Sequence, residues 1–218
     1  YFRAAWFQEF NEAITAKAEF TNRDGTKHQI DFMNRTDYMN YYEDDGLQMV
    51  ELPYQNSIDR FSEDGEYLDT EHFDDLDISM YLLMGNAKIT DAERLLREKE
   101  FYFRYVTLSI PKFEIAYQTQ LKDPLNALGI SRAFQPEAAE FTPMFDFGNM
   151  AVTDAVHKAY IKVDEKGTEA AAVTAITAAG SSLPPEPVSF CADKPFTFVI
   201  RDNISGEILF IGEFAFAE

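Results

Sequence analysis

Few residues in this sequence could carry covalent chemistry, and they do not form a recognisable catalytic group. The hydroxyls of Ser181 and Ser182 lie among small, mostly apolar residues, with no general base close to them in the sequence. No G-x-S-x-G turn, H-E-x-x-H helix or glycine-rich phosphate loop occurs in the chain. We therefore expect a protein that is not an enzyme and that needs no cofactor.

The other reactive side chains are typical of structural positions. His157 lies in an apolar stretch, which predicts a structural histidine. Cys191 stands between Phe190 and Ala192, which predicts a buried, inert thiol. Because it is the one cysteine of the chain, an internal disulfide and a cysteine-cluster zinc site are excluded.

Acidic residues dominate the charge of the chain, and nine of them fall within residues 57–77. Their spacing matches no calcium-binding loop, so we expect a solvated acidic insertion loop at 57–77 and no metal. The net charge of −19 argues against nucleic acid and anionic membranes as partners. No apolar run approaches the roughly 18 residues that a membrane-spanning helix needs.

The elements that must position these residues are mostly strands. Alternating apolar residues and the turn signal Asp24-Gly25 predict a hairpin, and Ile78–Met84 predicts a buried strand. The capping-box pattern of Thr90 and Glu93 predicts a helix that runs to about Phe103. Residues 150–164 predict one extended strand, and residues 196–216 predict a closing hairpin.

Between these last two elements, Gly167–Ser182 consists almost entirely of small residues. A flexible linker, an alanine-rich helix and a strand that has yet to pair would each explain such a composition. A linker usually joins two domains, but only a hairpin follows here, and the β-branched residues disfavour a helix. Every second residue from Thr168 to Ile176 is uncharged, so this face could enter a packed sheet without burying a charge.

Around this segment the sequence resembles the serpin family. Glu165-Lys166-Gly167-Thr168-Glu169-Ala170-Ala171-Ala172 is similar to the hinge of an inhibitory serpin's reactive loop. The resemblance continues in family order through the following pieces: Tyr1-Phe2-Arg3-Ala4-Ala5-Trp6, Leu52-Pro53-Tyr54, Ile110-Pro111-Lys112-Phe113, Val156-His157-Lys158-Ala159, Ala192-Asp193-Lys194-Pro195-Phe196 and Ile200-Arg201-Asp202.

The resemblance covers nearly the whole chain outside the acidic segment and implies an α+β fold, rich in sheet. We expect parts of the three serpin sheets with a few short helices, and we expect the N-terminal helical half of the family fold to be missing. Residues 1–218 would then be a single incomplete serpin domain, with a reactive centre loop at 165–187. The missing N-terminal portion becomes a possible partner.

The resemblance implies that the chain acts as a suicide substrate of a serine-type protease. Counting from Glu165 places the cleaved bond between Ser181 and Ser182, in residues small enough for an elastase-like or subtilisin-like primary pocket. Trp6 and His157 match the breach, where the inserting loop enters the sheet that it joins. The single cysteine leaves the cellular compartment open, and we expect a secreted, extracellular protein. A non-inhibitory carrier or chaperone relative, or an inactive fragment, are the alternatives.

Overall fold

The computed structural model describes residues 4–62, 66–141, 143–144, 150–168 and 185–218. These residues form an α+β fold that is rich in sheet. The strands are β1 (Ala4–Ala5), β2 (Ala16–Thr21), β3 (Lys27–Asp44), β4 (Leu47–Pro53), β5 (Ser57–Phe61), β6 (Tyr67–His72), β7 (Ile78–Gly85), β8 (Tyr102–Pro111), β9 (Phe113–Gln120), β10 (Val156–Asp164), β11 (Gly167–Thr168), β12 (Val188–Cys191), β13 (Phe196–Asp202) and β14 (Ile208–Phe214). The α-helices are α1 (Ala92–Glu98) and α2 (Lys122–Ala127), with short 3-10 turns at Glu12–Ile14, Ile89–Asp91 and Arg132–Phe134.

The chain divides into two compact units. The smaller unit is Glu114–Ile161, which contains α2, nearly all of β9 and the first residues of β10. β9 and β10 are neighbouring strands. The larger unit is built from the chain up to Phe113 and from Lys162 onward. It contains the end of β10, together with β1, β11 and the main sheet.

The main sheet of the larger unit has the strand order β12-β8-β3-β4-β7-β13-β14, with β2 paired to β3. All its neighbouring pairs are antiparallel except β12 with β8, which are parallel. The long strand β3 follows the Asp24-Gly25 turn and is one element of 18 residues. Its hydrogen bonds to β8 run from Phe32 to Tyr41.

The predicted turn chemistry is confirmed where glycine reaches positive φ. Gly25 has φ +85° and closes the hairpin between β2 and β3. The backbone N–H and hydroxyl of Thr26 both donate to Asp24 Oδ1, at 3.0 and 2.6 Å. A short polar side chain thus satisfies the turn locally, as the sequence pattern requires.

The core contains a cluster of aromatic rings between sheet elements. Phe113 packs against Phe196, Phe198 and Phe214, with ring centroids 5.8, 5.4 and 5.3 Å away. Phe20 meets Phe214 at 5.0 Å. This tilted and edge-on packing explains how the abundant phenylalanine supports a sheet-rich core.

Several element predictions were wrong in detail. The helix ends at Glu98 and no side chain caps its first turn, because β8 begins at Tyr102 and pairs with β3. β10 starts at Val156 rather than at residue 150. The acidic segment does not form an irregular loop throughout, since β5 and β6 pair as an antiparallel hairpin.

Candidate functional site

The candidate site is the hinge that follows β10. The chain turns at Glu165 and Lys166 and returns as β11, which lies between β10 and β1. Thr168 is paired with Val163 on one side and with Ala4 on the other. Both pairings are antiparallel, so the first hinge residues already occupy a strand position between two other strands.

Gly167 occupies a position where any larger residue would clash with β1. Its φ is +146°, and a Cβ atom built there would lie 2.3 Å from the carbonyl oxygen of Ala4 and 2.8 Å from Ala5 Cα. Both obstacles are backbone atoms of β1, which cannot rotate away as a side chain would. The sequence resemblance placed Gly167 in the hinge, and the close approach of β1 gives a physical reason for glycine at this position.

Trp6 is a buried residue that contacts the turn between β10 and β11. Its side chain is buried, and its indole Nε1 donates to the carbonyl oxygen of Asp164 at 2.9 Å. Its backbone N–H donates to the carbonyl oxygen of Lys166 at 3.0 Å. Its ring is stacked on Tyr54, with centroids 4.6 Å apart and planes 11° apart. Trp6 therefore holds both ends of the turn between β10 and β11.

Tyr54 is the residue whose role sequence reasoning missed. Its hydroxyl and the hydroxyl of Thr168 are 2.7 Å apart, and both side chains are buried. Burial raises the pKa of Tyr54 above its ordinary value, and the hydrogen bond with Thr168 offsets only part of that rise. The phenol stays protonated, and its hydrogen bond links Thr168 of the hinge to Tyr54, the residue directly after β4. The only sequence signal was the Leu52-Pro53-Tyr54 motif, which suggested no partner.

Glu165 is buried, and each of its two carboxylate oxygens has a partner. Its Oε2 lies 2.8 Å from Lys112 Nζ, and its Oε1 accepts a hydrogen bond from the Thr15 hydroxyl at 2.8 Å. Burial alone would raise the pKa of Glu165, but hydrogen bonds from Lys112, its own backbone and Thr15 outweigh burial and lower it. In turn, the hydrogen bond to Glu165 raises the pKa of Lys112, against a smaller opposing effect of burial.

The structure does not bring every predicted site residue to this place. Glu169, Ala170, Ala171 and Ala172 of the hinge, and the predicted reactive bond Ser181–Ser182, lie outside the described residues. His157 belongs to the smaller unit, near the start of β10, where its side chain is exposed. Its assignment to the breach stays a prediction.

The prediction of a buried Cys191 was wrong. The thiol is exposed, because alternate residues of β12 face opposite sides and Phe190 takes the buried position. Partial burial of the group, followed by the charge of Asp193, raises the pKa of the Cys191 thiol. The thiolate is therefore disfavoured, and the expectation of low reactivity keeps a physical basis.

Across the described ranges, no three His, Cys, Asp or Glu side chains converge so as to hold a metal ion. In that same part of the chain, no helix has the length and apolar character needed to cross a membrane.

Comparison with known families gives a consistent result. The family model described as serpin (serine protease inhibitor) matches residues 1–216. Serpin-Z1C of Triticum aestivum is 34% identical over an alignment that covers 97% of this chain and 53% of that protein. An uncharacterised serpin-like protein of Methanosarcina acetivorans is 32% identical, covering 98% of this chain and 47% of the relative. The chain spans about half the length of these relatives.

Solved structures show the same fold. Serpin48 of the insect Tenebrio molitor, a highly specific serpin, superposes with a TM-score of 0.74 at 26% identity. The superposition covers 99% of this chain and 54% of that one. The native-state structure of the thermophilic serpin tengpin gives a TM-score of 0.73 at 24% identity, over 99% of this chain and 53% of tengpin.

Proposed function

This chain belongs to the serpin family, and from that premise we propose that it is the C-terminal part of a serine-protease inhibitor that acts as a suicide substrate. Residues 165–187 form the reactive loop in this proposal. A protease attacks the bond between Ser181 and Ser182, and the freed loop then inserts as a strand next to β10. The hinge residues Glu165, Gly167 and Thr168 begin that insertion.

The observation that carries the proposal is the position of β11. Gly167 and Thr168 are hydrogen-bonded between β1 and β10, so a strand continuing from Thr168 would extend along β10. Thr168 is buried, and the residues at alternate positions after it, Ala170, Ala172 and Thr174, are uncharged. Their insertion into a sheet would therefore bury no charged side chain.

The chemistry of the first step is acyl transfer. The hydroxyl oxygen of the protease serine attacks the carbonyl carbon of Ser181, and its proton passes to the protease's own base. The bond from that carbon to the Ser182 nitrogen breaks, and the same proton leaves on the new amino group of Ser182. An ester joins Ser181 to the protease, and a peptide beginning at Ser182 is released.

Insertion would then move the esterified protease. From Glu165 to Ser181 an extended strand spans about 50 Å, at roughly 3.3 Å per residue. About a dozen new backbone hydrogen bonds, at roughly 1 kcal/mol net each, would favour the inserted strand. Small residues before the bond, Ala179, Gly180 and Ser181, favour a protease with a small primary pocket.

The second candidate is an inactive serpin fragment that is cut without trapping its protease. This chain spans 53% of the length of Serpin-Z1C. Both β1 and β10 belong to this chain, which permits loop insertion. In this second candidate, the ester to the protease is hydrolysed because protecting it would require the complete serpin fold.

Intact mass spectrometry separates the two candidates. The chain is incubated with a pancreatic elastase or with subtilisin, alone and together with the N-terminal half of a full-length relative. An adduct equal to protease plus residues 1–181 supports inhibition, whereas clean cleavage after Ser181 without adduct supports the fragment. Absence of any cleavage between residues 179 and 183 would contradict both candidates.

A further inference from the structure

The hairpin of β5 and β6 is exposed on both of its faces. Among the described residues, no third strand pairs with either β5 or β6. Glu71 and His72 of β6 are both exposed, and adjacent residues of a strand point to opposite faces. The described part of the chain therefore covers neither face at this end of β6. An isolated two-stranded sheet is only marginally stable in water, so a further strand added to its edge would stabilise it.

Apolar side chains are displayed on the same hairpin. The exposed fractions of Ile58, Tyr67 and Leu68 are 57%, 59% and 61%. Ile58 is opposite Glu71 in the pairing of β5 with β6, so an apolar and an acidic side chain lie next to each other on one face. Three large apolar side chains on one small hairpin exceed the scatter of single exposed residues on an ordinary surface, and such concentrations mark interaction surfaces.

Negative charge determines what can dock on this hairpin. Nine acidic residues lie within residues 57–77, and Arg60 is the one basic residue there. Arg60 already contacts Asp69 at 2.6 Å and Glu71 at 3.7 Å. A second copy of this chain would bring the same acidic hairpin and a net charge of −19, so pairing between two copies is opposed by repulsion. A partner that carries Lys or Arg side chains would be attracted.

The base of the hairpin is fixed beside β1. Trp6 forms an antiparallel bridge with Tyr54, and the backbone N–H of Gln55 donates to the carbonyl oxygen of Ala5 at 2.9 Å. On its other side, Ala5 is paired with Gly167 of β11. β1 therefore lies between the base of the hairpin and the hinge of the reactive loop, and the hairpin is a surface separate from the loop.

We propose that the β5–β6 hairpin is a docking site for an extended, basic segment of another protein. The segment adds as a strand to an open edge of the hairpin and pairs with it through backbone hydrogen bonds. Its Lys or Arg side chains contact the carboxylates of the hairpin, and its apolar side chains cover Ile58 and Leu68. So small a contact area predicts weak and reversible binding. This site goes beyond the proposed function, because it does not include the reactive loop.

The test uses a fluorescein-labelled peptide of about eight residues in which Lys and Val alternate. Fluorescence anisotropy measures its Kd for the whole chain. We expect saturable binding that weakens about threefold or more between about 20 mM and 150 mM salt, because salt screens exposed charges. A control peptide in which Lys and Pro alternate carries the same charge but lacks the N–H donors at each Pro. We expect this control to bind about tenfold more weakly.

Matched variants locate the binding site on the chain. The double variant Ile58→Thr/Leu68→Thr keeps every charge and the strand preference, and we expect it to weaken binding about fivefold. A hairpin charge variant neutralises three exposed acidic residues beside β6 and should weaken binding about tenfold: Glu66→Gln, Asp74→Asn and Asp75→Asn. A control charge variant neutralises three exposed acidic residues elsewhere in the larger unit and should stay within about twofold of the wild-type Kd: Asp45→Asn, Glu93→Gln and Glu207→Gln.

Three results would overturn the docking proposal. The first is an equal loss of affinity in the two charge variants, which would indicate general attraction to an acidic chain. The second is equal binding of the Lys–Val and Lys–Pro peptides, and the third is the absence of saturable binding at 20 mM salt. The substituted side chains are exposed, so the thermal midpoints of the variants should match that of the wild-type chain and confirm that each variant is folded.

The anisotropy measurement requires no protease, so its result is independent of the proposed function. A chain that binds the Lys–Val peptide at the hairpin but is not cleaved between residues 179 and 183 would support the docking site and contradict the proposed function. A chain that is cleaved there but does not bind the peptide would do the reverse.

Discussion

The hinge and the acidic hairpin are both antiparallel strand pairs, but different forces hold them. β11 has only two residues, yet the side chain of Thr168 and the neighbouring Glu165 are buried and hydrogen-bonded. β5 and β6 are longer, and their principal side-chain ties are ion pairs at the surface. In these, Arg60 contacts Asp69 at 2.6 Å and Glu71 at 3.7 Å. All three side chains are at least half exposed.

The difference predicts that burial, more than strand length, decides how much a strand pair contributes to stability. Exposed ion pairs in water contribute little, because solvent screens them and ordering long side chains costs entropy. A buried polar group needs a hydrogen-bond partner, since an unpaired one loses its hydration and gains no other interaction. Substitutions at the hinge should therefore have larger effects than matched substitutions elsewhere, in a predictable order.

The largest effect is expected from Trp6→Ala. The substitution removes a buried ring, its stacking on Tyr54 and its hydrogen bond to Asp164, so the free energy of unfolding should fall by about 3–5 kcal/mol. Urea denaturation measures it. The neighbouring Phe7, whose side chain is 61% exposed, supplies the control: Phe7→Ala should cost well under 1 kcal/mol. Equal losses for the two variants would contradict the burial of Trp6.

The next largest effect is expected from Gly167→Ala. The added Cβ would meet the Ala4 carbonyl oxygen at 2.3 Å, so β1 must move away, and we expect a loss of about 2–3 kcal/mol. Gly25→Ala is the matched control, because Gly25 also has positive φ but no atom within 4 Å of an added Cβ. It should cost only about 1 kcal/mol of backbone strain. A Gly167 variant no less stable than the Gly25 variant would show that β1 does not lie against the hinge.

A smaller, pH-dependent effect is expected from Glu165→Gln. The pKa of Glu165 is lowered below its ordinary value of 4.5, so the stability that its charge contributes is present above pH 4.5 and is lost as pH falls through the native pKa. The variant should be about 1–2 kcal/mol less stable at pH 7. The difference should shrink in acid, which denaturation curves between pH 3 and pH 7 would reveal. A difference that stays constant over this range would exclude a role for the ionised carboxylate.

The smallest effect is expected from Asp69→Asn in the acidic hairpin. The hydrogen bond with Arg60 lowers the pKa of Asp69, but both side chains are exposed and solvent screens the pair. The thermal midpoint should not change measurably at 150 mM salt. A shift as large as that of Glu165→Gln would mean that the hairpin is fixed more firmly than its exposure indicates.

Sequence patterns predicted the features that are determined by residues close together in the sequence. The turn at Asp24-Gly25 follows from local hydrogen bonding. The helix predicted to reach Phe103 was too long, because pairing of β8 with β3 overrides local helix preference.

The contacts that build the hinge site could not be predicted in the same way. Tyr54 and Thr168 are 114 positions apart, and Thr15 and Glu165 are 150 apart. No local rule specifies such partners. The family resemblance identified Trp6, Glu165 and Gly167 as important positions, but their hydrogen bonds, their burial and the part played by Tyr54 required the fold.

The central claim is that β11 is the first part of a strand that the rest of the loop extends along β10. Amide hydrogen exchange before and after protease cleavage at Ser181–Ser182 tests it most directly, with residues 169–180 read separately from β11. The account predicts that these amides gain protection once the bond is cut, because they pair with β10. Amides in 169–180 that exchange as fast after cleavage as before would contradict it.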